Sequence, residues 1–259
     1  MSGGDAPLAL MRLMLAGDTA AGVIARLRAE APSARRDAML ALAEDSRDGL
    51  RALERMVAAG ADHAAMDSVG AARAMFDRLV ALSPEGSVAA YSLGDPALLA
   101  RATGEVVEWL RGLGLLAGRP RVLDLGCGIG RFLGALGAEA AFVVGVEVSE
   151  AMARAARARV PGAMVVRGGG RDLAMLRDAA FNLVLAVDVF PYLVSAGLAA
   201  RHVAEAARVL RPGGNLVVLN WSYGEGCVEE VARRTGFELT MNGARPFGTW
   251  DGVAYVLRR

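Results

Sequence analysis

The chain has 259 residues, 54% of them apolar and 22% charged, with a formal net charge of +1. That length suits one or two domains with a proper core, and near-neutral charge gives no pull towards nucleic acid or an anionic membrane. It contains no lysine, and its two cysteines, Cys127 and Cys227, make neither a disulfide framework nor a metal-ligand spacing, which is the pattern of a reducing cytoplasm.

The opening MSGGDAPLALMRLMLAGD carries an acid before its apolar stretch and Arg12 within it, unlike a secretory leader. Residues 1–85 read as helix throughout, with Asp18 capping one helix and Ser33 another that runs to Gly60. Along the latter, Met39, Leu42, Ser46, Leu50, Leu53 and Val57 form one stripe. A further helix over 66–82 stops at Ser83-Pro84. This region is expected to be a cap, a lid over a substrate pocket, or a surface for pairing with a second copy of the chain.

Over 86–259 the rhythm becomes strand, helix, strand, helix. Strands are expected at 121–125, 142–147, 164–167, 181–187, 215–220, 237–242 and 253–257. Helices are expected at 131–136, 150–159, 198–210 and 228–235, with a short one near Leu173. Continuous apolar strands imply a doubly wound parallel α/β sheet, and the last two, with no helix between them, an antiparallel hairpin. The longest apolar segment, 181–200, is interrupted by Asn182, Asp188 and Pro191, so it does not read as a membrane span.

The ligand is foreshadowed in VLDLGCGIGRF, residues 122–132. Gly126, Gly128 and Gly130 permit a tight turn and close approach to a ligand. A dinucleotide loop would place another glycine where Arg131-Phe132 stand. Asp124, just before the turn, would repel a pyrophosphate and suit an ammonium group. Glu147, ending the next strand, can accept both hydroxyls of a ribose. An adenosine carrying an ammonium and no phosphate is S-adenosylmethionine (SAM).

These motifs resemble the class I SAM-dependent methyltransferases. VLDLGCGIGRF looks like the family's first motif, GVEVSEAM its second, FNLVLAVDVFPYL its fourth-strand motif, and RVLRPGGNLVVLN the helix, turn and fifth strand that follow. The likeness covers roughly 87–259 and implies a seven-stranded sheet with antiparallel sixth and seventh strands. It further implies that Asp124, Gly126, Cys127, Gly128 and Gly130 hold the methionine part, Glu147 the ribose, and Val148 the adenine. Asp188 would lie near the amino group and the transferred methyl, and Tyr91 would cover the cofactor; either is a candidate base. One departure is visible: relatives place an acid against the adenine amino group where this chain has Gly169, so Arg171-Asp172 are expected to take over, or backbone amides alone.

Trp221 and Tyr223, after the fifth strand, and Trp250, between the last two, are candidates for stacking on substrate. Cys127 and Cys227 read as packing residues, His202 as a packing or capping residue, and His63 as exposed. No cluster of acids and histidines suggests a metal site. The expected activity is methyl transfer to a small-molecule acceptor. Two alternatives stay open: a SAM-consuming enzyme that cyclises SAM or transfers its aminocarboxypropyl arm, and a non-catalytic SAM-binding protein.

Overall fold

The computed structural model describes residues 5–61, 66–222 and 228–259, so the sequence readings of His63, Tyr223 and Cys227 lie outside the described residues. The sheet is built from β1 (Arg121–Leu125), β2 (Phe142–Glu147), β3 (Met164–Arg167), β4 (Phe181–Val187), β5 (Leu210–Leu219), β6 (Glu238–Ala244) and β7 (Ala254–Arg258). Their order across the sheet is β3-β2-β1-β4-β5-β7-β6, a single seven-stranded sheet. β1 to β5 run parallel, while β7 is antiparallel to both its neighbours, β5 and β6.

The first four strands lie where their apolar runs predicted. β5 instead begins at Leu210, which pairs with Phe181. Gly213 and Gly214 exchange backbone hydrogen bonds with Arg259, at 2.9 Å each way, so the expected turn is an irregular start of the strand.

Side chains alternate between the two faces of the sheet. Leu123, Val184, Leu216 and Val218 pack with α10 (Phe190–Ser195), α11 (Ala199–Val209) and α12 (Val228–Arg234). Val122, Leu185, Val217 and Leu219 pack with α7 (Pro96–Gly112). The short helix expected near Leu173 does not form. Its backbone is held from outside: the Arg208 guanidinium donates to the carbonyls of Leu173 and Leu176, at 2.9 Å each, and the Leu173 amide donates to Glu205.

The N-terminal helices are α1 (Asp5–Leu15), α2 (Ala20–Ala29), α3 (Ala34–Asp45), α4 (Arg47–Ala58), α5 (Val69–Leu82) and α6 (Pro84–Val88). Thr19, not Asp18, caps α2, because Asp18 turns to pair with Arg26 at 2.8 Å. The helix expected from Ser33 to Gly60 is broken at Ser46. The break brings Gly49 so close to the Leu93 carbonyl that any Cβ there would overlap it. The stripe survives the bend: Met39, Leu50 and Leu53 are buried with Leu10, Met14 and Leu79 in a helical core of the chain's own. α6 runs across the expected boundary at 85/86. Asp77 of α5 ties this region to the sheet by accepting from the Ser149 hydroxyl (2.6 Å) and the Ala151 amide (3.1 Å) at the start of α9 (Glu150–Arg159). Among the described residues no helix is long and apolar enough to cross a membrane.

Candidate active site at the carboxyl ends of the strands

A cavity of about 430 Å³ lies beyond the carboxyl ends of β1, β2, β4 and β5, within the size range of ligand pockets. Its walls include the glycine turn after β1 and, from the N-terminal helices, Met11, Leu15, Val69 and Phe76. Most of this lining is apolar, so the charged groups in it stand out.

Asp124 is only 1% exposed, and its carboxylate makes no hydrogen bond among the described residues. Burial pushes its pKa up to about 7, Arg131 opposing and Glu147 adding to the rise. A buried carboxylate without a partner is costly, and a cationic ligand group would relieve it. The turn beyond it takes left-handed backbone at Gly126 and Gly128, φ +71° and +53°. Its amides are occupied within the protein: those of Gly126 and Cys127 donate to Val146 O at 2.8 and 3.1 Å, and that of Gly128 to Glu147 Oε2 at 2.9 Å. The turn therefore lacks the free amide cradle that a phosphate requires.

Glu147 is 5% exposed. Besides Gly128, the amides of Val148 and Ser149 donate to its Oε1, each at 2.8 Å. Burial raises its pKa, and these three amides oppose the rise.

The cavity also holds a buried arginine that the sequence did not single out. Arg131, its side chain 8% exposed, donates to Tyr91 Oη at 2.9 Å and lies 3.9 Å from Asp188 Oδ2. Burial disfavours its charge, but Tyr91, Asp188 and Asp124 keep its pKa above the ordinary value. Burial raises the pKa of Asp188, while Arg131 and the Asn220 amide oppose the shift. Tyr91 stacks on Trp250 (5.1 Å), which stacks in turn on Phe247 (5.0 Å). Burial drives the Tyr91 phenol up to about 12, which favours its protonated form.

The cavity thus gathers Tyr91, Asp124, Gly126, Cys127, Gly128, Glu147, Val148, Asp172, Asp188 and Trp250. Three expected residues fall elsewhere. Gly130 is not in the lining; its positive φ starts α8 (Arg131–Ala135), where a Cβ would press on Ala156 at 3.1 Å. Arg171 is exposed and lines no part of the cavity. Trp221 stacks on Phe190 at 4.8 Å in the core on the α10–α12 side of the sheet. The cavity also takes in Arg131, Asn220 and His202. The first was legible as a lone cation in an apolar run, the last as a histidine in register with Val203, Ala206 and Val209 on the buried face of α11.

The methyltransferase-domain family matches residues 123–218, which carry this turn, both acids and Asp188. An uncharacterized methyltransferase of Mycobacterium tuberculosis is 33% identical over 139 residues, 54% of this chain and 52% of that protein. Residues 123–218 thus match a methyltransferase domain. The dTDP-3-amino-3,4,6-trideoxy-alpha-D-glucopyranose N,N-dimethyltransferase of Streptomyces venezuelae is 34% identical to this chain over 121 residues, 44% of this chain and 50% of that protein. The chain thus spans about half the length of the curated relatives it matches. The crystal structure of a SAM-dependent methyltransferase from Mesorhizobium loti superposes with a TM-score of 0.49 at 20% identity, covering 61% of this chain and 100% of that one. The cofactor expected from the sequence motifs is S-adenosylmethionine. The cavity suits it: an orphaned carboxylate for the ammonium, a buried arginine for the carboxylate, a second acid for the ribose and apolar walls.

Proposed function

We propose that this protein transfers the methyl group of SAM to a small-molecule acceptor. The observation that carries the reading is Asp124, a buried carboxylate without a hydrogen-bond partner in the cavity wall. A near-neutral net charge and the sugar-directed name of the Streptomyces relative support a small acceptor.

When bound, SAM supplies an electrophilic methyl on its sulfonium. In this reading Asp124 would hold the ammonium, Arg131 the carboxylate, Glu147 the ribose hydroxyls, and Val148 would lie against the adenine. The chain's own task is then alignment, and holding two reactants in line can supply about 7–11 kcal/mol of the barrier. Met11, Leu15 and Phe76 would exclude water from the acceptor side. Asp188, with Oδ1 taken by Asn220, would receive the acceptor's proton at Oδ2.

The test is to incubate the protein with SAM, alone and with a panel of small amines and alcohols, and to follow the products by mass spectrometry. The reading expects SAM to survive alone and to yield S-adenosylhomocysteine only with an acceptor. Release of methylthioadenosine without an acceptor would replace methyl transfer with chemistry on SAM itself.

A further inference from the structure

The loop after β3 leaves the adenine amino group without the acid that the family resemblance leads one to expect. Gly169 stands in that position, exposed and absent from the cavity lining. Asp172, the expected substitute, does line the cavity, but its Oδ2 pairs with Arg201 at 2.7 Å and its Oδ1 accepts from the Ala174 amide at 3.2 Å. Its charge is already met on the α11 side.

The next residue along α11 is different. His202 is 2% exposed and lines the same cavity beside Leu173 and Leu193. Its Nδ1 lies 3.1 Å from the carbonyl of Leu198. A carbonyl only accepts, so Nδ1 bears the proton and Nε2 presents a lone pair. That nitrogen makes no hydrogen bond among the described residues. The start of α11 is tied to the loop after β3, because Arg201 pairs with Asp172 and Glu205 accepts from the Leu173 amide at 2.9 Å. Burial lowers the pKa of His202, which favours the neutral ring.

We propose that His202 Nε2 accepts a hydrogen bond from the exocyclic amino group of the cofactor's adenine, in place of the missing acid. This rests on the SAM reading of the cavity. An amino group matches a lone pair; the oxo group of hypoxanthine at the same position sets acceptor against acceptor. His202 is thus a specificity-determining residue for the base, placed on the helix before β5 rather than on the loop after β3.

Titration calorimetry with S-adenosylhomocysteine and S-inosylhomocysteine tests it. The wild-type protein should prefer the adenosine ligand by about tenfold or more, as a site built to pair with a polar group rejects an analogue that cannot. His202→Phe, which keeps a ring but no acceptor, should bring the two affinities close together, and His202→Gln, with an amide oxygen, should restore part of the preference. An unchanged preference in His202→Phe, or none in the wild type, would overturn the inference. Binding of neither ligand by the wild type would defeat the cofactor reading itself. Because the chain has only two histidines, nitrogen NMR of the unmutated protein gives a second readout. The Nε2 resonance of His202 should start in the unprotonated range and move upfield with the adenosine ligand but not with the inosine one. A resonance that stays still with both would also refute the proposal.

Discussion

Asn220 donates from Nδ2 to Asp188 Oδ1 at 2.6 Å, and both residues hold left-handed backbone, φ +64° and +57°. They end β5 and β4, neighbouring parallel strands, so the two bends face each other across the sheet. The amide cannot flip, because Asn220 Oδ1 accepts from the Val253 amide at 2.9 Å. Its NH₂ must therefore point at Asp188, leaving Asp188 Oδ2 for the cavity.

Asn220→Ala should lower stability by about 1.5–3 kcal/mol, the worth of a hydrogen bond to a charged group, with left-handed strain added. Asn220→Gly loses the same bond without the strain, so its cost should be smaller. Urea denaturation ranks the three proteins. If both variants match the wild type, the contact contributes nothing.

Asp124 makes stability and cofactor binding depend on pH in opposite ways. Its folded pKa, raised to about 7, exceeds the ordinary 3.8. The neutral acid is favoured by the fold, so its contribution is complete below the unfolded value and is lost as pH rises through about 7. The free protein should weaken from pH 4 towards 8 more than an Asp124→Asn variant does. An ammonium held at this carboxylate would favour the ionised form, so SAM binding at about pH 6 should release a proton. Calorimetry in buffers of different ionisation enthalpy measures that proton, and Asp124→Asn should abolish it.

Glu147→Ala should fail twice over. The variant removes the proposed ribose acceptor and strands the amides of Gly128, Val148 and Ser149. Loss of SAM binding should come with a loss of at least about 2 kcal/mol in chemical denaturation, since unpaired buried donors cost about 1–3 kcal/mol each. Normal stability with lost binding would show that water replaces the carboxylate for those amides.

Gly145 of β2 has no room for a side chain: a Cβ would sit 2.6 Å from Cys127 Sγ and 2.9 Å from its Cβ. Gly145→Ala should cost about 1–3 kcal/mol by overpacking. Cys127→Ala in the same chain should recover part of it, because Sγ is the nearer obstacle. A double-mutant cycle on melting temperatures would show that coupling, and simple additivity would contradict it.

The sequence by itself determined the doubly wound sheet, its antiparallel last hairpin and the two acids around the glycine turn. The strands were readable because each is a short apolar run closed by a polar residue or glycine, and parallel strands buried on both faces need little else. The α3–α4 break was not, because Ser46 lies on the same apolar stripe as Leu50; only the approach of Gly49 to Leu93 decides it. The missing helix near Leu173 depends on Arg208 and Glu205, remote in sequence. In the site, neighbours in sequence part company: Asp188 lines the cavity, while Trp221, next to the cavity residue Asn220, turns to the far side of the sheet to meet Phe190. Alternation along a strand is local, but where a strand ends and which way its next residue turns is settled by left-handed backbone and by partners from other elements. Only the tertiary structure could decide that Arg131 and His202 share a cavity with Asp124 and Asp172, because their approach is set by packing between elements rather than by any spacing along the chain.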